Sequence, residues 1–185
     1  MIVETVTTTI NPDGSVNCAA MGVEWGDETI VIKPYRATRT LRNLQDRGAA
    51  VVHVTDDILL FARAALADPH PPTRPAAAVE GAVLADACSW REVAVEAIDA
   101  TGPRARVTAR VVGRGAGREF VGFNRACHAV LEASILASRA KRLPADELRA
   151  DLARLTVLVE KTAGPRERAA WDCVLAHVHA AVGDG

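Results

Sequence analysis

Near Gly122 the apolar pattern of this chain changes its period from two residues to about 3.6. A strand shows alternate side chains to a core and a helix every third or fourth, so the two stretches need different architectures. The β-branched, Thr-rich run from Ile2 to Ile10 predicts a strand. Asn11-Pro12-Asp13-Gly14 is a turn signal, Ser15 to Trp25 a second strand, and Thr29 to Ile32 a third after Gly26-Asp27. Three antiparallel strands therefore open the fold. Ala49 to Thr55 is a continuous apolar run broken only by His53, the mark of a buried strand. Trp90 to Ala100 and Arg104 to Val112 alternate on either side of Thr101-Gly102-Pro103 and predict a hairpin. Val79 to Ala87 fits either a further strand or an extended crossover.

Helices are predicted where the spacing lengthens. Leu41 and Leu44 define a short one from Thr38 to Arg47, stopped by Gly48. Asp56 and Asp57 cap another that runs to Leu66, and the proline-rich stretch from Asp68 to Pro75 reads as a loop. After Gly122 come three: Phe123 to Arg142, bounded by Pro144; one carrying Leu148, Leu152, Leu155 and Val159; and one carrying Trp171, Val174, Val178 and Val182. The expected division is a strand-rich domain over residues 1–121 and a helical subdomain over 122–185.

Composition narrows the function classes. The formal net charge of -1 and the 4% aromatic content give neither a polyanion footprint nor a base-stacking platform, which excludes general nucleic-acid binding. No run approaches the roughly 20 apolar residues of a membrane span, and the acidic start MIVETVTTTINPDG lacks the basic end of a signal peptide, so a cytoplasmic protein with no membrane partner is expected. Cys18, Cys88, Cys127 and Cys173 have no zinc-site spacing and read as reduced core thiols; no metal is expected.

Two stretches can hold a ligand. In KPYRATRTLRN, Lys33 to Asn43, a strand ends at Pro34 and gives way to a helix start bearing Lys33, Arg36, Arg39, Thr38 and Thr40, a set that grips an anion through charge, hydroxyls and free backbone amides. An amphipathic helix with a Thr cap and solvated arginines has the same pattern, and the two readings stay side by side. In Asn17-Cys18-Ala19-Ala20-Met21-Gly22 the small residues let a planar ring approach the main chain, or a helix pack on a sheet. Arg125, Glu132 and Arg139 share a helix face and suit an ion-pair network or a substrate contact.

Taken in order, TTTINPDGSVNCAAMGV, KPYRATRTLRNL, AVVHVTDD and FNRACHAVLEASILASR resemble a family of uncharacterised proteins within the flavin-reductase-like FMN-binding split barrels. The resemblance implies a mainly β fold, a six-stranded antiparallel Greek-key split barrel with a C-terminal helical subdomain, and a homodimer with FMN at the subunit interface. Carried onto this sequence, Asn17, Cys18, Ala19, Ala20, Met21 and Gly22 would line the isoalloxazine. Arg36, Thr38, Arg39 and Thr40 would hold the 5′-phosphate, while His53 and Thr55 would approach the ribityl chain or ring edge. Comparable proteins are expected to have Asn in place of His53. The implied activity is that of an oxidoreductase using a reduced nicotinamide or similar small-molecule donor, with no catalytic acid or base identifiable. The alternative is a non-catalytic flavin- or pterin-binding protein linked to one-carbon metabolism.

Overall fold

The computed structural model describes residues 1–182. In chain order these form β1 (Ile2–Ile10), β2 (Val16–Trp25), β3 (Thr29–Ile32), α1 (Arg39–Arg47), β4 (Ala49–Val54), α2 (Ile58–Leu66), β5 (Thr73–Pro75), β6 (Ala82–Leu84), β7 (Ser89–Asp99), β8 (Arg106–Ala116), α3 (Arg125–Ala137), α4 (Ala145–Thr162) and α5 (Pro165–Val182). Two compact units result: Met1–Thr55 with Asp68–Phe120, and Asp56–Ala67 with Val121 onward. The second is discontinuous in sequence because α2 belongs with the late helices.

In the first unit six strands close an antiparallel barrel in the order β1-β2-β3-β8-β7-β4. Its interior is the aliphatic set that the period of two marks out, including Val23, Ile30, Ile32, Val52, Val93 and Val107, and α1 adds Leu41 and Leu44 to the same core. Thr38 caps α1 by accepting a hydrogen bond from the Leu41 amide, and Gly48 ends it in the left-handed region at φ 64. Glycine enters that region without a steric penalty.

The stretch from Asp68 to Pro75, expected as loop, ends in β5, which pairs with β6 as a separate two-stranded sheet. This settles the reading of Val79 to Ala87. Local turn signals could not show the hairpin because side chains of the barrel hold it. Thr8 Oγ1 donates to the Ala82 carbonyl at 2.6 Å, and the Leu84 amide donates to His53 Nε2 at 3.1 Å. At the hairpin's tip the buried Glu92 carboxylate accepts from the Ala78 amide at 2.5 Å and from Trp90 Nε1 at 3.4 Å. Burial would raise that carboxyl, but the amides of Ala78, Ala77 and Val79 outweigh it and hold the group below the usual carboxylate range. Trp90 lies under the Arg74 guanidinium at 4.6 Å, with its other side on β8. A Cβ at Gly115 would fall 1.9 Å from the indole, so this position admits only glycine.

In the second unit α2 packs on α3 and α5, and α3 on α4. Ala126, Ala129, Ala133 and Ala137 keep one face of α3 small, and Trp171, Val174 and Val178 supply the bulk from α5. Asn124 caps α3 through the amides of Ala126 and Cys127. The helix expected from Phe123 to Arg142 thus starts at Arg125, and it ends at Ala137 before a 3₁₀ turn at Ala140–Arg142. Ser138 Oγ donates back to the Ile135 carbonyl at 2.8 Å, a bond that competes with helix continuation. Arg125, Glu132 and Arg139 are exposed, and no ion pair joins them among the described residues.

His53 is fully buried, with Nδ1 2.9 Å from the Val6 carbonyl and Nε2 accepting from Leu84. The geometry requires the neutral Nδ1–H tautomer. Burial lowers the imidazole from 6.5 to about 4, so the unfolded chain takes up a proton that the native state refuses. Stability from this group is complete above pH 6.5 and declines by about 3 kcal/mol as pH falls toward 4. Urea unfolding should show that decline in the parent protein. His53→Leu should cost about 2–4 kcal/mol at pH 7, because the Val6 carbonyl and the Leu84 amide lose their partner, and should flatten the same pH window. An unchanged pH slope in the variant would rule out His53 as its source.

Candidate functional site

β2 pairs with β1 from end to end, Ile2 to Ile10 against Glu24 to Val16, but with β3 only from Val23 to Trp25. The backbone edge of residues 16–22 that faces away from β1 therefore has no strand beside it. The barrel is split here. Along this segment the alternation sends Asn17, Ala19 and Met21 inward with Val23, and Cys18, Ala20 and Gly22 outward. Ala19, Ala20, Met21 and Gly22 are half-buried. A flat ligand could reach the main chain beside Ala20; over Gly22 the Glu4 carboxylate lies 2.8 Å from where a Cβ would stand.

α1 stands beside this opening, fixed by a buried amide and hydroxyl network. Asn17 Nδ2 donates to Thr9 Oγ1 and to Thr40 Oγ1, each at 3.1 Å. Asn43 Nδ2 donates to Thr9 Oγ1 at 2.9 Å and to Asn11 Oδ1 at 2.8 Å. Both side-chain amides thus spend their two N–H bonds on joining β1, β2 and α1. Thr40, on the second residue of α1, is buried and serves this brace. Thr38, at the cap, donates to the Tyr35 carbonyl at 2.7 Å, which fixes the entry of the chain into the helix.

The cations of this corner differ in their engagements. Lys33 pairs with Glu24, which also takes a two-pronged contact from Arg106 at 3.1 and 2.9 Å. Arg39 pairs with Asp68 at 2.5 Å. Arg36 is exposed and has no hydrogen bond or ion pair among the described residues. Its guanidinium is open to an anion. Cys18 is buried, and that burial, with the nearby Asp68 charge second, pushes its thiol up to about 12, which removes it as a nucleophile. His53 lies on the outer face of β4 beneath the β5–β6 hairpin, with neither ring nitrogen available to a ligand; Thr55, half-buried, follows the end of the same strand.

A cleft of about 610 Å³ runs along the flank of α1, bounded by the β1–β2 turn and the segment after Asp68. Asp13, Arg39, Arg42, Asp46, Asp68 and His70 are among its lining residues. Sequence reading missed Thr9, Asn43 and Asp68 in this region. Asn43 was open to discovery, since it lies three residues after Thr40 on the same helix face; Thr9 and Asp68 carry no local signal.

The N-terminal model of a family described as protein of unknown function DUF447 matches residues 3–118, and its second model matches residues 124–175. The chain belongs to the DUF447 family. Among solved structures, an FMN-bound DUF447 protein of Methanosarcina mazei is similar over 95% of this chain and 94% of its own, at 20% identity and a TM-score of 0.83. The styrene monooxygenase flavin reductase of Pseudomonas putida S12 matches at 18% identity and a TM-score of 0.54, over 61% of this chain and 80% of its own. Flavoredoxin of Desulfovibrio vulgaris matches at 12% and 0.55, over 63% and 70%. No curated protein matches the sequence. At these identities the likeness establishes the fold: a closed barrel of the flavin-reductase-like split type with helices. No helix among the described residues is long and apolar enough to cross a membrane.

Thr40→Val keeps the shape of the brace and removes its hydroxyl. We expect a loss of about 1–2 kcal/mol in urea unfolding, from the Asn17 donor left buried without its acceptor. In the Thr40→Val background, Asn17→Ala should cost less than it does alone, and strict additivity would disprove the coupling.

Proposed function

We propose that this chain is an FMN-binding oxidoreductase that acts as a homodimer with the flavin at the subunit interface. The observation that carries the reading is the junction of the unpaired β2 edge with the start of α1, tied together by the Asn17–Thr40 hydrogen bond and flanked by the unengaged Arg36. The FMN bound in the similar Methanosarcina mazei protein supports it.

The residues fit such a cofactor. Ala20 leaves space over the main chain for the isoalloxazine, Gly22 does so once the flexible Glu4 side chain that covers it turns aside, and Asn17, Ala19 and Met21 hold that strand from inside the barrel. Cys18, neutral and buried, supports the platform. Free amides at the start of α1 and the Arg36 fork are suited to a phosphate dianion, since an arginine supplies two charge-assisted hydrogen bonds at once, and Thr38 joins them only by giving up its bond to the Tyr35 carbonyl. Thr40 sets the helix position. Arg39 joins the phosphate only by exchanging Asp68 for it. Thr55 is assigned to the ring edge, with His53 supporting β4 behind it. Bound FMN would supply the hydride acceptor: a hydride leaves a dihydronicotinamide or similar donor, which remains as the oxidised cation. The side chains of this site orient and bind, and proton transfer is not asked of them.

FMN titration followed by flavin fluorescence quenching tests the reading. Arg36→Ala should weaken FMN by roughly 10- to 100-fold, the worth of one charge-assisted contact, and leave riboflavin unaffected. Folded protein that quenches neither flavin would refute FMN binding. Bound FMN that NADH, NADPH and a reduced deazaflavin all fail to bleach anaerobically would leave the binding and remove the reductase.

A further inference from the structure

Arg39 is the first residue of α1, so its side chain leaves the helix at the end whose amides are assigned to the phosphate. The Leu41 amide is spent there on Thr38 Oγ1 and the Arg42 amide on the Thr38 carbonyl, which leaves those of Arg39 and Thr40. Asp68 already holds this arginine, with a carboxylate oxygen 2.5 Å from Nη1. Its charge is also the second cause, after burial, of the rise in the Cys18 thiol, so it is felt on β2 as well as on α1. A carboxylate therefore stands beside the place to which a phosphate would bring its own negative charge. The pair is exposed, 47% for the Arg39 side chain and 43% for Asp68, a setting in which ion pairs hold weakly. Arg42 lies three residues along the same helix face and lines the same cleft as both of them. Its side chain is exposed and has no hydrogen bond or ion pair among the described residues, and Asp46, one turn further on, has not taken it.

We propose that Asp68 is the counter-ion that occupies Arg39 while the phosphate site is empty, and that an arriving FMN phosphate takes Arg39 and passes Asp68 to Arg42; the inference rests on the FMN reading. Two cations one turn apart give the carboxylate two positions of the same chemistry, so no charge in the trio of Arg39, Asp68 and the phosphate is left without a partner after the exchange. Phosphate wins Arg39 because it brings close to two negative charges and three acceptor oxygens against the single charge of a carboxylate. Side chains three apart on a helix start about 5–6 Å from each other, a span that rotation of the long Arg42 side chain and of Asp68 covers. Pro69 stiffens the backbone at Asp68, which confines the exchange to side chains. Asp68 thus sets a threshold: a singly charged group gains little by replacing a carboxylate, and a phosphate dianion gains more.

Calorimetric titration of the full chain with FMN and with riboflavin tests the exchange. Asp68→Asn should bind FMN about twofold to fivefold more tightly than the parent, the range that release of one exposed ion pair covers, and should bind riboflavin as the parent does. In an Arg39→Ala background the same substitution should change nothing, because no arginine remains to be released. An equal gain there would show that Asp68 acts only through its field on the phosphate, and overturns the exchange. Arg42→Ala should weaken FMN by about twofold in the parent and leave it unchanged beside Asp68→Asn. Failure of Asp68→Asn to tighten FMN, or an FMN affinity unmoved by Arg42→Ala in the parent, also overturns the proposal while FMN binding stands. All three side chains are exposed, and thermal melts confirm folding. If the folded parent binds neither flavin, the FMN reading itself has failed, and this inference falls with it.

Discussion

Thr9 Oγ1 accepts from two side-chain amides at once, Asn17 and Asn43, and everything proposed for this protein depends on that point. It joins β1, β2 and α1 where the β2–β3 ladder has stopped. Hydrogen bonds in a buried network gain strength from the low local dielectric and cost heavily when one partner is missing, so the network fixes the helix start more firmly than hydrophobic contact would. Leu41 and Leu44 could slide within an aliphatic core; Thr40 and Asn43 cannot. A phosphate site made of backbone amides requires that constancy, because those amides belong to a helix end whose position they cannot themselves determine.

The β5–β6 hairpin follows a related rule. It contributes no strand to the barrel and is held on it by Thr8, His53 and Glu92, three polar side chains whose bonds are complete inside the protein. His53 bridges carbonyl and amide only when neutral, and Glu92 fits its ring of amides only when charged. The hairpin therefore adds a pH sensitivity to the fold that an aliphatic interface would lack.

Much of the secondary structure was legible because its determinants are local. The NPDG turn, the Thr38 cap and the glycine after Arg47 each act within a few residues, and the barrel strands and helices lie where period and punctuation place them. The small edge strand β5 was not legible and β6 only as one of two readings of Val79 to Ala87, since each is three residues long and exists through contacts to distant side chains. In the site, the basic corner and the small-residue strand could both be read, but not that Asn17 binds Thr40, a contact between residues 23 apart. Nor could sequence tell which cation is committed: Lys33, Arg36 and Arg39 look alike until Glu24 and Asp68 are brought to two of them.

By itself the sequence determined the alternation that makes a sheet of the first part and the stripes that make helices of the last, because backbone geometry and side-chain period are properties of neighbours. Tertiary structure alone decided where the sheet splits, which face of β2 is open, and which polar side chains are spent on holding the protein together. Those outcomes depend on hydrogen bonds between groups far apart in the chain. Their energy is gained only after the chain has closed around them.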